Sequence, residues 1–304
     1  MTSRTTLFFR YLRRNVTLTV GLGILLFLVF FTLIGSFFID RDVDPYPLAG
    51  PSSVSPTLNY CPRTDPDCAD NEPVAYPFGT DARGGDLFAI AVAGTWLTIR
   101  IGLLAGIIGL FIGTILGFTS AFYGGLYDMI VSWLVDVALT VPGLLVLVVI
   151  ASSLGESTIS INGMGLIIAS LAWRGPARVI RAQVLSMRER PYVMMARLNG
   201  MTGIGIIFKE MIPNLLPYLG ASLVGAVTGA IFASIGLAAL GLGPLREPTL
   251  GATLFWVFNQ SALTRGLWWW AAVPSVIIAL VFIMLFLISI GLDELANPRV
   301  RRTA

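Results

Sequence analysis

Histidine is absent from the 304 residues and lysine occurs once, as Lys209. With no histidine, a His-ligated zinc site and a Ser-His-Asp triad are excluded by inventory. A Gly-Lys-Ser/Thr phosphate loop is excluded too, because the only lysine follows Phe208 and precedes Glu210. Charge of either sign is scarce: 12% of residues are charged and 56% hydrophobic, with a mean hydropathy of +0.82. Soluble domains carry about 25% charged residues, so the composition points to a membrane solvent. The net charge of +3 superficially suits nucleic acid, but the arginines flank apolar runs. Orientation in a bilayer accounts for them better, and no nucleic-acid partner is expected. Cysteine is limited to Cys61 and Cys68.

A spanning helix needs about 20 apolar residues. Five runs qualify, at Val16 to Ile39, Trp96 to Phe122, Met129 to Leu154, Leu215 to Leu242 and Trp268 to Leu292. A sixth, from about Met164 to Ile180, is interrupted by Arg174 and Arg178. The expected fold is therefore all-α and polytopic, with six transmembrane helices. On that count 14 Arg and Lys fall on one side and five on the other, with Arg100 embedded. The positive-inside rule then puts both termini in the cytoplasm. The first run is too long for the apolar part of a cleaved signal and is expected to stay as an anchor.

The expected division is a cytoplasmic N-terminus with the first span over 1–39, an external loop over 40–95, a five-helix core over 96–292 and a cytoplasmic tail over 293–304. The loop holds nine acidic residues against three arginines through Asp86, and no helical or strand period. Cys61 and Cys68 lie within it. Two cysteines in an exported loop most simply close a small disulfide ring, the other reading being two free thiols.

Gly102 and Gly106, then Gly109, Gly113 and Gly117, let another backbone approach the second run closely. Ala221, Gly225, Gly229 and Ala233 repeat the device in the fifth. Asp128 and Asp136 are eight residues apart, so they share a helix face. Asp136 is either part of a translocation path or a structural group paired with an arginine or a helix end. Arg174 has the same two readings, facing a polar cavity within the leaflet or lying just beyond it at the interface.

The segment Tyr192-Val-Met194-Met195-Ala196-Arg197-Leu-Asn-Gly200 is followed by Ile212-Pro213. This resembles the cytoplasmic loop of ATP-driven importer permeases, Glu-Ala-Ala, three residues, Gly, then Ile-x-Leu-Pro. Ala196, Gly200, Ile212 and Pro213 match, while Met194 and Met195 replace the Glu and the first Ala. Phe78-Gly-Thr-Asp-Ala-Arg-Gly-Gly-Asp86 is similar to the Gly-Thr-Asp-x-x-Gly-Arg-Asp signature of the C-type permeases of dipeptide, oligopeptide and nickel importers. Asp128, Asp136, Pro142, Trp173, Ala177, Arg178 and Arg181 occur in the same order as in that family.

The resemblance implies a type I ABC importer permease fold in the bacterial inner membrane. It implies a coupling helix at about 188–210, ended by Gly200, in which Tyr192, Met194, Met195, Ala196, Arg197, Gly200 and, beyond it, Pro213 dock an ATPase. It also implies partners: a homologous B-type permease, ATP-binding subunits that hold the ATP and Mg, and an external solute-binding protein. The chain itself is expected to bind no cofactor or metal and to catalyse nothing. Di- or oligopeptides are the expected cargo. The alternatives are a nickel or other small-solute importer and a secondary transporter, and an intramembrane enzyme built on Asp136 and Arg174 lacks a nucleophile–base pair.

Overall fold

The computed structural model describes residues 15–61, 74–154 and 159–296, so Cys68 lies outside the described residues. Ten helices of eight or more residues are described. Helix α1, Val16–Gly35, is opened by the Asn15 side chain, which accepts from the Leu18 amide at 2.9 Å. A short antiparallel pair follows, β1, Thr57–Tyr60, and β2, Val74–Tyr76, in the register Thr57 to Tyr76 and Tyr60 to Val74. Then come α2, Leu87–Tyr123, α3, Gly125–Thr140, α4, Gly143–Leu154, α5, Ile161–Ala172, and α6, Arg174–Arg188. Helix α7, Pro191–Leu198, leads through a helical turn at Gly203–Ile206 and a π turn at Ile207–Met211 into α8, Ile212–Ala239. Helices α9, Leu250–Asn259, and α10, Trp268–Ala296, complete the chain.

Four of these helices are each long and apolar enough to cross a membrane: α1, α2, the Ile207–Ala239 stretch and α10. The expected run from Met129 to Leu154 is not one helix. It breaks between α3 and α4 with a bend of 80°, and counted as one span the pair makes a fifth crossing. The cause is Pro142, which has no amide to continue the ladder and holds Val141 in an extended conformation at φ −79° and ψ 125°. The expected sixth run divides at Trp173 into the apolar α5, of 12 residues, and the charged α6.

Helix α2 is the axis. Its 37 residues extend about 55 Å at 1.5 Å per residue, longer than the hydrocarbon core of a bilayer. Its glycines face successive neighbours. A side chain on Gly106 would stand 2.6 Å from the Val227 side chain of α8, one on Gly109 2.5 Å from Ala172, and one on Gly113 2.6 Å from the Trp173 carbonyl. The first glycine stripe thus packs backbone on backbone. At the far side α1 and α10 run together, and Asn15 Nδ2 donates to Glu294 Oε2 at 2.6 Å.

The head of α2 is held by the chain before it. Asp81, 1% exposed, accepts the amides of Arg83 and Gly85, both at 2.8 Å, and pairs with the Arg83 guanidinium at 3.2 Å. Trp269 Nε1 donates to the Thr80 carbonyl at 3.2 Å, and Arg83 lies 4.3 Å over the Trp256 ring. The Gly-Thr-Asp signature is therefore a knot. It ties the preceding loop to α9 and α10, and Gly84, at φ 88°, faces the Gly50 carbonyl at a closeness no side chain tolerates.

Candidate functional site: a helical ridge below an open cavity

Helix α7 lies at the foot of α2, opposite the knot. Pro191 opens it, where a missing amide costs nothing. Val193 and Ala196 turn inward onto a buried cluster with Phe118, Ile180, Val184, Ile206, Met211 and Leu215. Met194, Met195 and Leu198 face outward with 56, 59 and 77% of their surface exposed. Arg197 is exposed beside them and Tyr192 is half-buried at the edge. Burial raises the Tyr192 hydroxyl above its ordinary pKa, keeping it neutral at physiological pH.

Gly200 stands just past the helix at φ 75°. Its amide donates to the Arg197 carbonyl at 3.0 Å, and the Met201 amide to the Ala196 carbonyl at 3.1 Å. These two bonds satisfy the last carbonyls and define a Schellman ending, which requires a left-handed residue at this place. The segment over 188–210 is therefore not one helix: α7 fills its middle and glycine stops it. Pro213 lies in the first turn of α8, exposed, directly after the π turn.

Above the ridge is a cavity of about 1410 Å³, lined by the start of α4, by α6, α8 and the end of α10. Ala221, Gly225, Gly229 and Ala233 all face it. Side chains on Gly225 and Gly229 would meet nothing within 4 Å, so the second stripe, unlike the first, is left open by this chain. Polar groups enter at two levels, Arg174 near the break and Gln183, Ser186, Arg190, Asp293 and Glu294 lower down.

Of the two intramembrane candidates, Arg174 lines this cavity and Asp136 does not; Asp136 is exposed on α3. Arg174 is spent on backbone. Its Nε donates to the Leu171 carbonyl at 2.9 Å, and its Nη1 to the carbonyls of Ala138 at 2.5 Å and Val141 at 3.4 Å. Sequence reasoning paired Asp128 with Asp136 on one face, but the partner of Asp128 is Arg181, with bonds of 2.6 and 2.7 Å. Spacing within one helix gave no signal for it, since the two are 53 residues apart. Cys61, at the end of β1, is disulfide-bonded. Among the described residues no group of three or more Cys, Asp or Glu is arranged to hold a metal.

A family model described as the binding-protein-dependent transport system inner membrane component matches residues 109–302. Another, the N-terminal transmembrane domain of oligopeptide transport permease C, matches residues 3–72. The dipeptide transport system permease protein DppC of Bacillus subtilis is 29% identical over 296 residues, 96% of this chain and 85% of the relative. The oligopeptide transport system permease protein OppC of Lactococcus lactis is 28% identical over 223 residues, 73% of this chain and 74% of the relative. Among solved structures, a chain of the inward-facing MetNI methionine ABC transporter superposes with a TM-score of 0.54 at 20% identity, covering 68% of this chain and 94% of that one. That likeness is one of fold.

Proposed function

We propose that this chain, which belongs to the family of binding-protein-dependent transport system inner membrane components, is one of two permease subunits of an ATP-driven importer of di- or oligopeptides. The names of its relatives favour peptide over nickel or another small solute. The observation that carries the mechanism is the outward face of α7. Three large apolar side chains at Met194, Met195 and Leu198 are each more than half exposed, and a helix presenting such a ridge fits the groove of a separate ATPase subunit.

In this reading the open face of the cavity, with Gly225 and Gly229 bare, is closed by a homologous B-type permease, and cargo passes between the two. The end of the bundle carrying α7 is cytoplasmic, as are both termini. The acidic loop before α2 faces outward and receives the solute-binding protein. ATP and Mg belong to the ATPase subunits, and the permease supplies the path and the levers.

The test places cysteines at Met195 and Arg197 opposite the ATPase surface in the assembled importer. Efficient crosslinks that block uptake are expected. Crosslinks from Tyr123 to Asp128 instead, with none from α7, would move the ATPase contact to the neighbouring turn at the same end of the bundle and overturn α7 as the docking ridge. Uptake must also fail when ATP is depleted with the ion gradient kept; persistence would favour a secondary transporter. Mass spectrometry of the ligand carried by the co-purified binding protein identifies the cargo.

A further inference from the structure

Helix α6 holds α3 at both ends. Arg174 and Arg181 are seven residues apart, close to two turns, and so lie on one face of α6. Arg181 grips the start of α3 with a two-bond fork onto Asp128, at 2.6 and 2.7 Å. Arg174 grips its end through the carbonyls of Ala138 and Val141. Between these grips Val131 and Val135 rest on Ala177, in a cluster that also takes in Trp173.

The chemistry at the upper grip is specific. The 80° break after Thr140 frees carbonyls that α3 cannot satisfy from its own ladder. An unpaired carbonyl in a membrane is costly, and broken helices persist there only when neighbours supply donors. The Arg174 guanidinium supplies them from Nη1 while its Nε donates to the Leu171 carbonyl, a rigid two-nitrogen fork that a single ammonium cannot reproduce. Gly143 makes room for that fork, since a side chain there would press directly on Arg174 Nη2. The lower grip is a bidentate ion pair with side chains 32 and 18% exposed, the geometry in which such pairs are strongest.

We propose that Arg174 and Arg181 are positioning residues that make α3 and α6 one rigid lever in the transport cycle. Only Glu189 and Arg190 separate α6 from α7, and the Arg190 and Val193 amides donate to the Met187 and Arg190 carbonyls at 3.0 and 3.1 Å. A displacement of α7 therefore passes to α6, through the two grips to α3, and so to the cavity rim at Gly143 and Leu144. Without the grips the motion would be absorbed at the break. The inference rests on α7 being the ATPase contact proposed above.

The experiment uses the complete importer with spin labels at Leu134 on α3 and Val179 on α6, read by dipolar broadening without nucleotide and with ATP trapped. The separation is expected to stay constant in the otherwise unaltered protein, and to change between the two states in Arg174→Lys and in Gly143→Ala. Both variants should move roughly two- to thirtyfold less substrate per ATP hydrolysed, the range in which residues on coupling networks act. Exchanging the lower pair, Asp128→Arg with Arg181→Asp, should restore coupling lost in either single change. Thermal stability of the complex is the control, because a merely structural role lowers it and leaves the substrate-to-ATP ratio alone. A change above about 2 Å in the unaltered protein, the size of an ordinary helix shift, overturns the lever. So do variants that keep the ratio. If the Met195 crosslink fails while the separation stays constant, the ATPase contact is wrong and the rigid pair stands.

Discussion

The amide of Met201 donates to the carbonyl of Ala196 across Gly200, and that bond at 3.1 Å fixes the glycine in the left-handed region. A side chain at Gly200 would meet no atom within 4 Å, so collision is not what forbids one. The conformation is. Replacement by Leu costs about 1–2 kcal/mol of backbone strain, and by Asn, which tolerates this region, less. Gly200→Leu should insert normally yet lose uptake per ATP, and Gly200→Asn should retain most of it. Equal losses in both, measured in reconstituted vesicles, would refute the conformational account.

The ring of eight residues from Cys61 to Cys68 is expected to be closed in the mature protein. Cys61 is bonded and Cys68 is the only other cysteine of the chain. Small rings typically contribute about 2–4 kcal/mol to the segment they close. Mass spectrometry of the unreduced loop checks this. Two alkylatable thiols in freshly purified protein would contradict it, and Cys61→Ser should hasten proteolysis of the hairpin in the folded importer.

Asp86 caps α2 by accepting the Phe88 amide at 2.9 Å. Burial, aided by Asp44, pushes its carboxyl up to about 6, although the amide bonds pull the other way. The folded state thus holds the proton more tightly than the unfolded chain, whose carboxyl titrates near 4. The cost of the buried charge is present above pH 6 and disappears as pH falls toward 4, so the loop should tighten on acidification. Proteolysis of residues 40–86 as a function of pH should show protection rising below pH 6. Asp86→Asn keeps the capping acceptor and should flatten the profile.

What the sequence disclosed was local chemistry. The ends of α1, α8 and α10 follow the lengths of their apolar runs, and Gly200 was readable as a helix ending because its chemistry is confined to four neighbouring residues. The break after Thr140 was not. Hydropathy is continuous through it, and proline is tolerated in membrane helices when neighbours re-satisfy the backbone. The neighbour that does so, Arg174, is 36 residues from Ala138, so its task was invisible until the chain was folded. The Phe78 to Asp86 signature was legible as a motif but not as a knot, because its partners Trp256 and Trp269 lie at the far end of the sequence.

The two small-residue stripes have the same spacing and opposite environments, which gives the sharpest contrast in substitution. On α2, a side chain at Gly113 would stand 2.6 Å from the Trp173 carbonyl and 2.8 Å from the Ala177 amide. Backbone cannot retreat cheaply, and overpacking of this kind costs about 1–3 kcal/mol or more. Gly113→Leu should therefore lower the melting temperature and the yield of assembled complex. On α8, Gly225 and Gly229 face empty cavity, so Gly225→Leu and Gly229→Leu should leave the melting temperature of the isolated subunit unchanged. Their cost should fall on the path or on the second permease seated there. Uptake should drop while the subunit still folds, and co-purification of the second permease separates a blocked path from a lost partner. If Gly225→Leu destabilises the isolated subunit as severely as Gly113→Leu, the open face assigned to α8 is wrong.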